Sequence, residues 1–393
     1  MHYMESAKAV PVGPLPEHFE LAKPEAGMRW ATAYNGTGFW LISDYELARR
    51  VLADQRFSRS EAAGPKAPKI STYNAAPDAI ISLEGAAHSR IRQLVAPAFT
   101  ERRIAELEPF VVPLVARILD ELGAQDPPAD FVSHVSAPLP FEAMCHLLGV
   151  PSADREVFGS WVNVLFRLEG DTADSRQHSI SLARYMMRLV ADKRREPTDD
   201  LISWLITSSG RKGDKVTNRE LVTLCLSLLM AGYDSTVDQI TLCVFMLLLN
   251  RPLMNALVQN PGLAERVTEE LLRLNPAPYM TFPRMAVERV PLGGVVIEPG
   301  QLVVVFIMGS NRDESVFSSA DEAAPELAMP AHLTFGHGLH RCLGAPLARL
   351  QLTTLLRALV IRFPHLEVAE DMSSLNWKTG MATRGLSQLL VSW

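Results

Sequence analysis

The segment spanning residues 221–250 limits the possible folds most strongly. It is apolar in two halves, and as one unbroken helix it would be about 45 Å long at about 1.5 Å per residue. The polar residues Tyr233-Asp234-Ser235-Thr236 and Asp238-Gln239 separate the halves. Charges at the centre of a membrane span cost about 3 kcal/mol. We therefore predict a buried central helix, and no membrane span.

The rest of the chain is mainly helical, with short β pieces near its two ends. Residues 28–42 flank Asn35-Gly36, a dipeptide whose positive φ angles suit a tight hairpin turn. Residues 290–308 form a second β-rich part that turns at Pro299-Gly300. Between these two parts the apolar residues recur with a helical period. The predicted helices are separated at Pro127-Pro128, Pro151, Ser209-Gly210, Pro252 and Pro261-Gly262. No βαβ series occurs, so we predict a mainly α fold with small β-sheets (α+β).

Local signals place three further segments. Ser43-Asp44-Tyr45-Glu46 has the spacing of a capping box, which predicts a helix directly after the hairpin. Residues 62–77 are rich in Ala, Pro, Ser and Gly and have no steady period, so they predict a long surface loop. The final helix is expected from about Gly344 to about Ile361.

Length and charge restrict the partners. The chain has 393 residues, which suggests two or three domains or one large core. Its 38 basic and 44 acidic residues leave a net charge of -6 with no basic run, which disfavours nucleic-acid and polybasic membrane binding. Residues 1–20 lack an apolar core of signal-peptide length, so we expect a cytoplasmic protein.

Four cysteines, Cys145, Cys225, Cys243 and Cys342, lie far apart without a C-x-x-C pair. This spacing argues against a disulfide scaffold and a structural zinc site. Three of them are interpreted as small buried apolar residues. Cys342 differs, because it lies among Gly336, Gly338 and Gly344 just before a predicted helix. Glycines let backbone amides approach the sulfur and a helix N-terminus favours a thiolate, so Cys342 is suited to a soft metal.

The segment Phe335-Gly336-His337-Gly338-Leu339-His340-Arg341-Cys342-Leu343-Gly344 resembles, at every defined position, the haem-thiolate signature of the cytochrome P450 superfamily. Glu270-Leu-Leu-Arg273 is similar to the family's E-x-x-R pair, and the hairpin and the chain's last residues also fit. The resemblance implies one P450-like domain over residues 1–393, with a long central helix over a haem and a cysteine-ligand loop below it. Charge pairs of this spacing are usually solvated, but the family buries Glu270 and Arg273 as a structural pair.

The resemblance also implies how haem b would be held. Cys342 would ligate the iron, within a loop shaped by Phe335, Gly336 and Gly344. His88 and Arg92 lie one helical turn apart and can face one anion. That anion would be a haem propionate, with Arg284 and His340 as further partners. The family's third basic residue near the E-x-x-R pair is missing, since residues 316–333 hold no arginine and Leu327 stands at its place.

The oxygen side of the haem is predicted from Ala231-Gly232-Tyr233-Asp234-Ser235, which resembles the family's A-G-x-[DE]-T element. A mid-helix glycine costs about 1 kcal/mol relative to alanine, and such conflicts often mark functional sites. The resemblance implies that the helix at Ala231 and Gly232 leaves room for dioxygen, that Asp234 helps to deliver protons and that Ser235 orients water. Serine replaces the usual threonine and lacks its rotamer-fixing methyl group. Two hypotheses remain open. Oxygen activation is less tightly coupled to substrate oxidation, or the reaction does not need the full protonation sequence.

The implied activity is a monooxygenase that uses O2 to oxidise a hydrophobic small molecule, as a tailoring step in bacterial secondary metabolism. No flavin or nicotinamide motif is present, so electrons from NAD(P)H would arrive through a ferredoxin reductase and a ferredoxin. Arg341, Arg349 and Arg102 or Arg103 would meet the ferredoxin. A coupling or ring-closing enzyme without oxygen insertion and a non-catalytic haem sensor remain alternatives. The expected pocket residues are Leu228, Leu229, Tyr279, Met280, Phe282, Met381 and Ala382.

Overall fold

The first described strands form the predicted hairpin. Strand β1 (Met28–Thr32) pairs antiparallel with β2 (Gly38–Ile42). Gly36 has a φ of 83°, which side chains rarely allow. The Gly36 amide donates to the Ala33 carbonyl and the Ala33 amide donates to the Thr37 carbonyl, so the hairpin predicted around Asn35-Gly36 is confirmed and its connection closes between Ala33 and Thr37.

The computed structural model describes residues 27–33, 35–70, 76–165, 173–211, 216–325, 330–378 and 383–393. The remaining strands are β3 (Phe57–Ser58), β4 (Ala129–Asp130), β5 (Arg284–Ala286), β6 (Val290–Leu292), β7 (Val295–Ile297), β8 (Leu302–Val305), β9 (Glu367–Val368) and β10 (Leu390–Ser392). The α-helices are α1 (Tyr45–Ala53), α2 (Arg59–Ala63), α3 (Gly85–Val95), α4 (Glu101–Ala105), α5 (Glu108–Gly123), α6 (Pro138–Leu148), α7 (Arg155–Leu165), α8 (Ala173–Arg195), α9 (Leu201–Arg211), α10 (Asn218–Leu249), α11 (Arg251–Gln259), α12 (Ala264–Leu274), α13 (Ile307–Ser310) and α14 (Ala345–Arg362).

The strands form small sheets, as predicted for a mainly α chain. One sheet has the order β1-β2-β8-β5-β3, a second β4-β10-β9, and a third pairs β6 with β7. Only the β2–β8 pairing among these is parallel. The Pro299-Gly300 turn joins β7 to β8, which lie in different sheets, so this turn does not close a hairpin. Strand β8 is buried throughout, because its alternating side chains pack into two apolar clusters, Val303 and Val305 in one and Leu302 and Val304 in the other.

The helix after the hairpin starts one residue later than the capping box predicts. The Asp44 side chain accepts the Leu47 amide hydrogen at 2.7 Å and so caps α1. The Ser43 amide still donates to Gly27 in the hairpin connection, which leaves Ser43 outside the helix. In the predicted loop of residues 62–77, helix α2 occupies the beginning and residues 71–75 lie outside the described part.

The central helix α10 confirms the prediction from the apolar segment. It has 32 residues and begins at a capping box formed by Thr217 and Glu220. It ends before Asn250, whose side chain caps α11 by accepting the Leu253 amide hydrogen at 2.8 Å. By length and composition α10 could cross a membrane, but 56% of its most apolar window is buried inside the protein. The core helix of a globular protein has the same composition, and α10 packs against α6, α8 and α12.

The largest apolar core surrounds α10 and runs from Ile91 to Val391. Three cysteines, Cys145, Cys225 and Cys243, lie buried in it, which confirms their interpretation as apolar residues. Burial raises the pKa of each of these thiols to about 12. They stay protonated at neutral pH, and Cys342 is the remaining cysteine of the chain.

Candidate functional site

The cysteine loop is held in shape by its own backbone. The Cys342 amide donates to the Phe335 carbonyl at 2.8 Å, and the Arg341 amide donates to the Gly338 carbonyl at 3.1 Å. Gly336 and Gly338 have φ values of 69° and 71°, which only glycine adopts easily. The loop then continues directly into helix α14. The sequence folds locally in this way because glycine stands at both left-handed positions.

Gly338 also lets the loop approach helix α1. A Cβ atom at Gly338 would lie 2.5 Å from the Leu52 carbonyl oxygen and 3.1 Å from the Ala53 Cα, which are backbone atoms that cannot move aside. A Cβ at Gly336 would meet nothing closer than 3.9 Å. The two glycines therefore share a conformation, but only Gly338 is also required by close packing.

The thiol of Cys342 is exposed, unlike the three core thiols. The protein surrounds its sulfur at longer range, and this desolvation raises the pKa of Cys342. The Gly344 amide, the Arg92 charge and the Ala345 amide act in the opposite direction but do not outweigh it. The two amides at the start of α14 lower the pKa of Cys342, in the direction expected for a helix N-terminus, but burial has the larger effect. A coordinating metal ion deprotonates a thiol outright, and both amides are placed to donate to the resulting thiolate.

The four basic residues expected to hold propionates come together from three parts of the chain. The rings of His88 and His340 lie 4.5 Å apart. Burial, followed by the charges of Arg284 and His88, lowers the pKa of His340 to about 3. Arg92 donates to the Arg341 carbonyl at 2.5 Å, and Arg284 donates to the Phe57 carbonyl at 3.2 Å. His88 and Arg284 are buried and Arg92 and His340 are half-buried, so the arrangement is a partly buried basic cluster beside the cysteine loop.

Arg59 is a fifth member of this basic cluster that the sequence analysis missed. It is 4% exposed, and its guanidinium lies 4.9 Å from the centre of the Phe282 ring. Burial and the neighbouring Arg284 lower the pKa of Arg59 to about 10. Nothing in Phe57-Ser58-Arg59-Ser60 distinguishes this arginine from a surface residue. Its location follows from the fold alone.

The basic cluster fits a dianionic ligand. Glu84 is the acid near it, but its carboxylate already accepts the Arg59 amide and the hydroxyls of Ser58 and Ser60. Within the described residues, the buried Nε2 of His88 and Nε of Arg59 have no hydrogen-bond partner. Buried polar atoms are rarely left unpaired, so these nitrogens indicate an anionic partner. Haem propionates, close to an accessible thiol, meet this requirement.

Glu270 and Arg273 form a buried pair on α12, with 2.9 and 2.8 Å between their paired atoms. Arg273 also donates to backbone carbonyls, namely those of Asn311, Ser319, Ala320 and Glu322. The Ala324 amide donates to Glu270 at 3.0 Å. Leu327, at the position of the missing third basic residue, lies outside the described residues. In the described part, backbone groups supply the pair's remaining hydrogen bonds.

The polar centre of helix α10 lies where the sequence places it. The Ser235 hydroxyl donates to the Ala231 carbonyl at 2.6 Å, one turn earlier. Thr236 is buried on another side of the helix, consistent with the turn of about 100° per residue. A Cβ at Gly232 would lie 2.9 Å from the Met144 sulfur, so glycine permits close packing there.

Asp234 belongs to a group of charged and polar side chains. It lies 3.5 Å from the Lys378 ammonium, and Lys378 lies 2.6 Å from a second carboxylate, Asp238. Thr383 donates to Asp238 at 2.7 Å. The sequence analysis missed Asp238, Lys378 and Thr383 as a group. A signal was present, since Asp238 follows Asp234 by one helical turn in an apolar segment.

The expected pocket residues are only partly brought together. Leu228 and Tyr279 are buried, and Met280 and Phe282 are half-buried. Leu229 is 0% exposed and packs in the largest core. Leu228 belongs to the same core cluster, so the assignment of Leu229 to the pocket stays a prediction. Met381 and Ala382 lie outside the described residues.

Known proteins of the same architecture were found by sequence and by structure. The cytochrome P450 profile matches residues 171–384. The mycinamicin IV hydroxylase/epoxidase of Micromonospora griseorubida is 37% identical over 95% of this chain and 94% of that protein. The nocardicin C N-oxygenase of Nocardia uniformis subsp. tsuyamanensis is 35% identical over 96% and 95%. The crystal structure of cytochrome P450 MoxA from Nonomuraea recticatena superposes with a TM-score of 0.90 at 32% identity, covering 98% and 96% of the two chains.

These relatives share the fold over nearly the full chain at more than 30% identity. They are hydroxylases and oxygenases of bacterial secondary metabolism. Proteins of this kind use haem, dioxygen and reducing equivalents to oxidise a small molecule. The chain belongs to the cytochrome P450 family and is a monooxygenase of this tailoring type.

Proposed function

We propose that Cys342 is the thiolate ligand of haem b, whose propionates are held by His88, Arg92, Arg284 and His340, together with Arg59. The observation that carries this proposal is the accessible Cys342 thiol beside a partly buried basic cluster with unpaired nitrogens. Phe335, Gly336 and Gly344 shape the loop around the sulfur. The Gly344 amide faces the sulfur and lowers the pKa of Cys342.

When haem is bound, it supplies the iron at which dioxygen is activated, and the thiolate donor favours O–O cleavage. The protein's own part on the opposite side is to admit dioxygen and protons. At Ala231 and Gly232 the helix carries little side-chain bulk, which would leave room for dioxygen. Ser235 holds its hydroxyl against the Ala231 carbonyl, where it can turn to orient water. Asp234 exchanges protons with that water.

Electrons would come from NAD(P)H through a ferredoxin reductase and a ferredoxin. The exposed residues Arg341 and Leu339 lie on the outer side of the cysteine loop and support a docking surface there. Arg102 is exposed, while Arg103 pairs with Glu106. Arg349 does not fit the proposed surface, because it forms a bidentate pair with Glu269 at 2.6 and 2.8 Å. We remove Arg349 from the docking residues.

The substrate we propose is a hydrophobic natural product. Leu228, Tyr279, Met280 and Phe282 are apolar or aromatic, which suits such a ligand. The relatives' names support the class, since they include a macrolide hydroxylase/epoxidase and an N-oxygenase of nocardicin C. We also infer one domain over residues 1–393, supported by a core that joins Ile91 to Val391. A location in the cytoplasm is supported by the bacterial relatives.

The absorption spectrum of the reduced, carbon monoxide-bound protein tests the ligand assignment. We expect the strongly red-shifted Soret band of thiolate ligation, and we expect Cys342→Ala to lose it. Cys225→Ala is the matched control, because Cys225 is buried in the core and should leave the band in place. A Soret band typical of histidine ligation in the intact wild-type protein would contradict the proposal.

A further inference from the structure

Two carboxylates on helix α10 share one ammonium group. Asp234 and Asp238 lie four residues apart and therefore on the same face of the helix. Lys378 comes from the chain segment before β10 and reaches both, at 3.5 Å from Asp234 and 2.6 Å from Asp238. The side chains of Lys378 and Asp234 are each 13% exposed, whereas that of Asp238 is 0% exposed. The three groups thus extend from the interior toward accessible space.

Asp238 is the fixed member of this group. Its second oxygen accepts the Thr383 hydroxyl hydrogen at 2.7 Å. Gly385 packs so close that a Cβ there would lie 2.0 Å from the Asp238 Oδ1 atom. Asp234 is held less tightly, because its contact with the Lys378 ammonium is longer, at 3.5 Å, although the Thr383 hydroxyl also lies near enough to lower its pKa. The ammonium is therefore held mainly by Asp238 and only shared with Asp234.

The charges of the group do not balance when both acids are ionised. Two carboxylates and one ammonium leave one negative charge in a largely buried place. Burial raises the pKa of Asp234, and Lys378 offsets part of that effect. Burial also raises the pKa of Asp238, with Lys378 lowering it and Asp234 raising it. Tyr233 is the other titratable neighbour, and burial raises its pKa to about 12, so it stays neutral. One proton can therefore be taken up here at little cost.

We propose that Lys378 and Asp238 are positioning residues that set the charge state of Asp234, so that Asp234 is the carboxylate at which a proton is exchanged. Lys378 stays on Asp238 when Asp234 takes a proton from water, and it is shared again when Asp234 releases that proton toward Ser235. Each cycle moves one proton and no electron. This inference rests on the proposed role of Asp234 on the oxygen side of the haem.

An infrared pH titration of the haem-loaded protein tests the proposal without a substrate. The C=O stretching band of a protonated carboxyl group that disappears in Asp234→Asn reports the protonation of Asp234. Loss of a nearby opposite charge typically raises an acid's midpoint by roughly 1 to 3 pH units, and we expect this shift in Lys378→Met. Lys378→Arg should keep the wild-type midpoint. Lys66→Met, at an exposed lysine, is the matched control and should change nothing.

The double variant Lys378→Met/Asp238→Asn separates this role from a merely structural one. It restores the net charge of -1, so its Asp234 midpoint should return most of the way to the wild-type value. If the group only tethered the 378–385 segment, the double variant would melt at a lower temperature than either single variant and Lys378→Met would not move the midpoint. Either an unmoved midpoint in Lys378→Met or an unrestored one in the double variant overturns the proposal. The thiolate Soret band is recorded in every variant, so failure of the Cys342 assignment is seen separately.

Discussion

The cysteine loop and the oxygen-side helix are built in different ways. Hydrogen bonds that shape the loop join close neighbours in sequence, such as Cys342 to Phe335 and Arg341 to Gly338. The carboxylates of α10 are held by Lys378 and Thr383, which lie 140 to 145 residues further along the chain. The first site is therefore specified by a short motif, and the second depends on how the last part of the chain docks.

The largest effect is expected in the loop, where Gly338→Ala and Gly336→Ala form a matched pair. Both would place alanine in a left-handed conformation, at about 1 to 2 kcal/mol each. Only Gly338→Ala also meets the Leu52 backbone, so its total cost should reach roughly 2 to 5 kcal/mol. Urea unfolding of the haem-loaded protein measures the difference. Equal losses in the two variants would show that docking on α1 does not support the loop.

An intermediate effect is expected on the oxygen side from Ser235→Ala. It removes the hydroxyl that donates to Ala231, so water near Asp234 is no longer oriented. We expect a several-fold rise in hydrogen peroxide released per NAD(P)H consumed, measured with a surrogate ferredoxin and its reductase. Ser235→Thr should instead keep or lower the peroxide yield, because the added methyl group restricts the rotamer. Unchanged coupling in both variants would remove the proton-delivery role of Ser235.

The smallest effect is expected from Glu269→Gln, next to the cysteine loop. Burial alone would raise the pKa of Glu269, but hydrogen bonds from Arg349 and the nearby His332 imidazole outweigh it and lower the pKa to about 2. The side chain is 42% exposed, so the pair should contribute only about 1 kcal/mol after solvent screening. Because the folded pKa is depressed, this stability is present above pH 4.5 and is lost as the pH falls toward 2.

Denaturant unfolding at several pH values measures that contribution. The gap between wild type and Glu269→Gln should be widest near neutral pH and should close on acidification. Glu121→Gln, in an exposed pair with Arg117, serves as the control and should cost about 0.3 kcal/mol. A gap that stays constant with pH would show that the Glu269 charge does not contribute.

The sequence allowed good prediction wherever the determining contacts are local. The apolar segment at 221–250 gave the central helix almost to its ends, Asn218–Leu249, because length and burial leave few alternatives. The final helix was expected from Gly344 and is observed as Ala345–Arg362. One-residue errors arose where two polar residues compete, as when Asp44 rather than Ser43 caps α1.

Prediction failed where the fold brings distant residues together. Arg59 becomes part of the basic cluster only because α2 packs against β5, a contact that its sequence surroundings do not encode. Lys378 lies in an ordinary polar segment, and its pairing with Asp238 depends on the docking of the chain's last residues.

The Arg273 contacts have a consequence for sequence variation. This side chain donates to the carbonyl oxygens of Ser319, Ala320 and Glu322, in the segment of residues 319–322 before the cysteine loop that we call the meander. Every residue type offers a carbonyl, so the side chains at these three positions can change without disturbing the contact. The path of the meander is thereby fixed while its composition is free to drift. Engineers could recode this stretch, for example to alter surface charge, provided that its length and Arg273 are kept.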